Sequence, residues 1–192
     1  MANEILRRLV HASGAVVPGL WLVGLLTWAQ IRYLLVGGVA LAVVLEFLRL
    51  VVGIEWVVYE TLTREYEQDR PAGYALYVFS GSLTGLAFGP RIAVPAMLML
   101  TLADPIAGLV SADELRPVKQ GRALAVMFAI SATLAAVFVP VGAAVMGGLA
   151  AMLADGAKPV VRGHVVDDNL TIPIVAACAM FVGVTYLPAV GL

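Results

Sequence analysis

The chain has 192 residues, 61% of them hydrophobic and 13% charged, with a formal net charge of −1. A soluble globular domain is about half apolar and about a quarter charged, so these proportions exclude an ordinary soluble fold and indicate an integral membrane protein. They also exclude a nucleic-acid binder, which needs a basic face against the phosphates.

A transmembrane helix takes about 20 mostly apolar residues, or about 17 at the short end. Breaking the chain at charges, Pro and Gly predicts an all-α polytopic bundle of about seven transmembrane helices. Arg7-Arg8 and the apolar run behind them allow a removable signal peptide, but no Ala-x-Ala-like site precedes a polar flank. The expectation is therefore a retained first span, Ala12–Gln30. The second is Tyr33–Ile54, the third Ala72–Gly89 and the fourth Ile92–Ser111. Ala123–Ala154 carries no charge and is too long for one helix, so Pro140 and Gly142 divide it into a fifth span ending near Val139 and a sixth through Leu153. The seventh is Leu170–Leu192, which contains Cys178. A lone cysteine forms no intrachain disulfide, and no Cys/His cluster offers a zinc site.

The positive-inside rule fixes the orientation. With the N-terminus cytoplasmic, ten of the twelve basic residues fall on the cytoplasmic side, and Arg32 and Arg91 alone fall outside. His11, the loop Glu55–Arg70, the loop Asp113–Arg122 and the run Asp167-Asp168-Asn169 then share that side. A transporter would carry polar groups deep along a path through the bilayer, whereas here they gather at one interface.

Asp104 is the costliest placement, because apolar sequence flanks it on both sides. Pro105 predicts a broken or kinked helix beside it, which suits a carboxylate holding Mg²⁺ or a structural partner of an Arg. Asp167, Asp168 and Asn169 offer oxygens to a hard cation, and the same run reads as a helix cap with Pro173 in the first turn. Arg116, Lys119, Gly121 and Arg122 read either as a polyphosphate site at a helix start or as a membrane anchor. Arg7, Arg8 and His11 share a helix face, and anchoring explains the arginines but not the histidine. Glu46 and Arg49, three apart, read as an ion pair or as part of a site. Gly81 and Gly85 form a GxxxG, read as close helix packing. Neither a P-loop nor protein-kinase motifs occur.

Four blocks across nearly the whole chain resemble the dolichol kinase and phytol kinase family of CTP-dependent polyprenol kinases, itself similar to the phosphatidate cytidylyltransferases. Glu4–His11 resembles that family's Glu-Leu-Arg-Arg-Lys-x-x-His, and Glu46-Phe47-Leu48-Arg49 its Glu-x-x-Arg. Asp104–Val110 resembles its Asp-Ala-x-Ala run, and Asp168-Asn169-Leu170-Thr171-Ile172-Pro173 its Glu-Asp-Asn-Leu-Thr-Ile-Pro signature. The chain departs at Pro117-Val118-Lys119-Gln120-Gly121, where the family carries Lys-Ser/Thr-x-Glu-Gly.

The resemblance implies one membrane-embedded catalytic domain over residues 1–192, moving the terminal phosphate of CTP to an isoprenoid lipid alcohol. It implies Mg²⁺ or another divalent cation on Asp104 and Asp167 or Asp168, with Asp104, Asp168 and His11 in the chemistry. Arg7, Arg8, Arg116, Lys119, Gly121, Asn169 and Thr171 would meet the nucleotide. The expected place is a cell membrane, or the endoplasmic reticulum in a eukaryote. The rival expectations are a lipid cytidylyltransferase, a CTP-dependent diacylglycerol kinase and a non-enzymatic transporter.

Overall fold

A computed structural model describes residues 2–57, 59, 63, 67–110, 120–157, 160–161 and 164–187. The described chain is helical apart from one two-residue β-ladder. In order come α1 (Ala2–Ser13), α2 (Val16–Leu22), α3 (Trp28–Phe47), α4 (Gly73–Ala87), α5 (Pro90–Leu98), α6 (Asp104–Val110), α7 (Gly121–Ala136) and α8 (Val141–Gly156). The antiparallel pair β1 (Val160–Val161) and β2 (His164–Val165) precedes α9 (Asp168–Tyr186).

The sequence explains most of the boundaries. The expected first span, Ala12–Gln30, is two helices. Gly24 turns the chain with a left-handed φ of 73°, and Thr27 then starts α3 afresh. The Thr27 hydroxyl accepts from the Gln30 N–H at 3.4 Å, and the Thr27 N–H donates to Gln30 Oε1 at 2.9 Å, a reciprocal capping box. α3 runs on through a π-helical segment, Leu48–Val52, and stops at Gly53, where φ is 74°. Gly89 and Pro90 start α5 and Pro140 caps α8, as the Pro/Gly reading expects.

Pro105 neither breaks nor sharply ends its helix. A π-helical segment, Met99–Ala103, precedes it, and the Asp104 N–H donates to the Met99 carbonyl five residues back. Widening the turn accommodates a residue that has no N–H of its own, so α5, the π segment and α6 form one continuous stretch. Pro173 also lies deeper than expected. Asp167 is the N-cap of α9, so Pro173 falls in the second turn and leaves the Asn169 carbonyl without its intrahelical donor. Ser80 of α4 supplies the missing bond, donating its hydroxyl to Asn169 O at 2.5 Å.

Three stretches, Trp28–Val52, Pro90–Val110 and Asp168–Tyr186, are long and apolar enough to cross a membrane. α7 and α8, at 16 residues each, are apolar but shorter. α3 exposes Tyr33, Val36, Leu41, Val43, Val44 and Phe47, a surface suited to lipid rather than water.

One large core joins α5 to α9 through Ala96, Met99, Met127, Ala144, Ala176 and Met180. Its dominance by Ala, with Gly148 and Gly183 packed beside it, brings helix axes close, as small residues do where dispersion contacts bind helices in lipid. A Cβ on Gly148 would lie 2.9 Å from Ala132 Cβ, and one on Gly183 would lie 2.6 Å from Ala143 Cα. A second, smaller cluster of Ile31, Leu35 and Met97 ties α2 and α3 to α5.

Candidate functional site

The strongest polar feature of the described chain is a group of three carboxylates from three helices. Asp104 opens α6, Asp155 is the penultimate residue of α8 and Asp168 opens α9. One oxygen from each lies within 4.8 Å of the others. Asp155 is fully buried, Asp168 is 9% exposed and Asp104 is half-buried.

Packing explains the convergence. The stripe Ala144, Gly148, Ala151 and Asp155 is spaced four, three and four residues apart, so it shares one helix face. That face is buried throughout, and the carboxylate ends it. At the end of α8 the helix dipole opposes a negative charge, whereas at the start of α9 it favours Asp168. Gathering three like charges this closely costs several kcal/mol at the effective dielectric of a protein interior. Neutralisation by a cation removes that cost.

The donor set suits a hard cation. Three carboxylate oxygens are the ligands that Mg²⁺ and Ca²⁺ prefer. Opposite ligands stand about 4.2 Å apart around Mg²⁺ and about 5 Å apart around Ca²⁺, from their usual bond lengths. The observed spread of up to 4.8 Å lies between the two. Small rotations of the side chains would close it on Mg²⁺.

The N-terminal block lies against the same place. A Cβ added to Gly108, one turn after Asp104, would lie 3.4 Å from Arg8 Cζ, so the guanidinium rests on that turn of α6. His11 stacks edge-on against Tyr77 of α4, with ring centroids 4.5 Å apart. The Tyr77 hydroxyl donates to the His11 carbonyl at 3.0 Å, passing over Gly14, where any side chain would collide with it. α1 is thus held across α4 and α6, which explains why its polar face needs Arg8 and His11.

The remaining expected residues divide. Asp167 is not among the three converging carboxylates. Its Oδ1 accepts from the Asn169 N–H at 2.9 Å and so caps α9. Asp168 Oδ1 accepts from the same N–H at 3.1 Å, so both carboxylates serve the cap, and of the two Asp168 also joins the converging group. The Thr171 hydroxyl turns back to the Asp167 carbonyl at 3.4 Å. The Asn169 side chain faces the start of α4, where its Nδ2 would lie 3.0 Å from a Cβ on Gly73. Gly121 opens α7 and is exposed. The Arg7 side chain, Arg116 and Lys119 lie outside the described residues.

Glu46 and Arg49 form a clamp. Arg49 Nη2 lies 2.7 Å from Glu46 Oε2, and both side chains are largely buried. Arg49 also donates to the carbonyls of Glu67 and Arg70, at 3.0 and 2.6 Å. Glu46 accepts from the Ala72 N–H at 3.1 Å and from the Tyr74 hydroxyl. The pair thus fastens segment 67–74 onto α3 and sets the entry into α4, beside Asn169.

Asp155 escapes a reading that treats Ala123–Ala154 as one uncharged tract and stops one residue short of it. The signal was present in the small-residue stripe, which an acid continues in register. No family model, curated protein or solved structure matches the chain, so any functional reading rests on these side chains.

Proposed function

We propose that the protein is a CTP-dependent lipid kinase that phosphorylates the hydroxyl of an isoprenoid alcohol at the cytoplasmic face of a membrane. The observation that carries this reading is the convergence of Asp104, Asp155 and Asp168, with Arg8 resting on the turn that follows Asp104. The topology that goes with it has about seven membrane segments and a cytoplasmic N-terminus, supported by the one-sided placement of basic residues.

Phosphoryl transfer asks a protein chiefly for positioning and charge neutralisation. Asp104, Asp155 and Asp168 would hold a divalent cation, which supplies positive charge to the transferred phosphate when bound. Arg8 adds a bidentate phosphate donor beside them. Asp168 or His11 would take the proton of the acceptor hydroxyl. Arg7, Arg116 and Lys119 would extend the phosphate-binding face.

CTP labelled at either the α- or the γ-phosphate, offered with several lipid alcohols, tests the reading. Label reaching the lipid from the γ position alone is expected. Label from the α position identifies a cytidylyltransferase, and γ-transfer to diacylglycerol alone identifies a diacylglycerol kinase. Absence of transfer from either position, with Asp104→Asn indistinguishable from the parent, identifies a transporter or other non-catalytic protein.

A further inference from the structure

An apolar cleft of about 150 Å³ opens between α2, α3, α4 and the π segment before Asp104. Leu34, Gly38, Tyr77, Val78, Gly81 and Thr101 are among its walls. Two features separate it from an ordinary packing defect.

The first is its glycines. A Cβ on Gly81 would meet nothing within 4 Å, and one on Gly38 would meet only Val78, at an ordinary 3.5 Å. Gly85, one turn on, is different, since a side chain there would strike Leu35. Of the two glycines in the GxxxG, Gly85 serves packing and Gly81 keeps space open.

The second is Thr101. Its side chain is 97% buried, being 3% exposed, and its hydroxyl has no hydrogen-bond partner among the described residues. Such a group costs about 1–3 kcal/mol to leave unsatisfied. It stands three residues before Asp104, a rise of about 4.5 Å or less along the helix. The lining also includes Tyr77, which stacks on His11. Thr101 therefore ties the cleft to the helical stretch that carries Asp104.

We infer that this cleft holds the hydroxyl end of a lipid alcohol, about its first isoprene unit, with Thr101 hydrogen-bonded to the alcohol oxygen and the rest of the chain running out into the lipid. The inference deepens the kinase reading and rests on it for the fate of the alcohol. Occupancy of the cleft does not depend on transfer. Thr101 acts here as a positioning residue.

The test uses the full chain in lipid nanodiscs without nucleotide or added metal. The probes are a long-chain isoprenoid alcohol carrying a photoreactive diazirine and its hydrocarbon analogue without the hydroxyl. Cross-links from the alcohol should concentrate on Leu34–Gly38 and Tyr77–Ser82. Gly81→Leu should lower them about tenfold, the loss of roughly one well-packed chain contact. Gly37→Leu adds the same bulk one residue from Gly38, on the exposed side, where nothing lies within 4 Å, and should leave labelling unchanged. In wild type the alcohol should label roughly fivefold more than the hydrocarbon, and Thr101→Val should abolish that preference while sparing hydrocarbon labelling. Equal labelling of the parent and Gly81→Leu overturns the inference. So do a preference that survives Thr101→Val and labels spread evenly over the outer helix faces, which means bulk-lipid contact only. A chain that fails the labelled-CTP assay but passes this one binds lipid alcohols without phosphorylating them.

Discussion

Replacing Asp155 with Asn should stabilise the metal-free protein and abolish its response to divalent cations. Two charges 4.8 Å apart repel by about 3.5 kcal/mol at an effective dielectric of about 20. Asp155 takes part in two of the three pairs, so its share of the repulsion is about 7 kcal/mol or more at that dielectric. Uptake of a single proton caps this, because neutralising an ordinary aspartic acid at pH 7 costs about 4 kcal/mol. Arg8 beside Gly108 and the Asn169 N–H that donates to Asp168 reduce it further. A net gain of about 2 kcal/mol is expected, which for a chain of this size raises Tm by roughly 4–8 °C in EDTA. The parent protein should instead gain about 2.7 kcal/mol from Mg²⁺ at a hundredfold excess over Kd, and the variant nothing. Scanning calorimetry of both proteins in detergent, with EDTA and with Mg²⁺, measures all four values. A variant that melts lower than the parent in EDTA and still shifts with Mg²⁺ would refute the carboxylate-site reasoning.

Asp104→Asn should abolish phosphate transfer, by about 10³-fold or more if the charge lost acts chiefly in the transition state, while membrane insertion is retained; labelled-nucleotide turnover and membrane fractionation read the two separately. Arg49→Met should destabilise by about 3 kcal/mol, since it leaves Glu46 largely buried without its cation; Glu46→Gln, which keeps a hydrogen-bonding group, should cost less in the same melting assay. Ser80→Ala should lower stability by about 1–2 kcal/mol, because the Asn169 carbonyl opposite Pro173 then loses its donor; the drop should shrink when Pro173→Ala restores the intrahelical bond. Gly148→Leu should cost about 3 kcal/mol or prevent folding, whereas Gly37→Leu should be neutral by thermal melting.

Helix positions were legible wherever hydropathy and a breaker agreed. Pro140 separates α7 from α8, and Gly89-Pro90 separates α4 from α5, within a few residues of the expected limits. The reading failed where local chemistry outweighed hydropathy. Ala12–Gln30 carries no charge, yet Gly24 and the Thr27–Gln30 box turn the chain inside it. Pro105 and Pro173 could be located but not interpreted, because their outcome depends on a widened turn and on a hydroxyl 89 residues away. Asp104 and Asp168 stood out as charges in apolar surroundings. Asp155 did not, because a helix-end acid looks like a solvated flank until its stripe is recognised. Gly81 and Gly85 were indistinguishable in sequence, since only the neighbouring helix decides which of them faces empty space.

The two hydrophobic clusters of unequal size have a mechanical consequence. All three carboxylates belong to helices of the larger one, where glycine and alanine contacts leave little free volume and resist deformation. α2 and the first half of α3 are held to α5 by the smaller cluster, with Arg32 donating to the carbonyls of Gly85 and Leu86 at the far end of α4. The carboxylates therefore sit in the more densely packed part of the molecule, while the cleft lies where α3 is joined to its neighbours by the smaller cluster and by hydrogen bonds such as that of Ser82 to the Leu35 carbonyl.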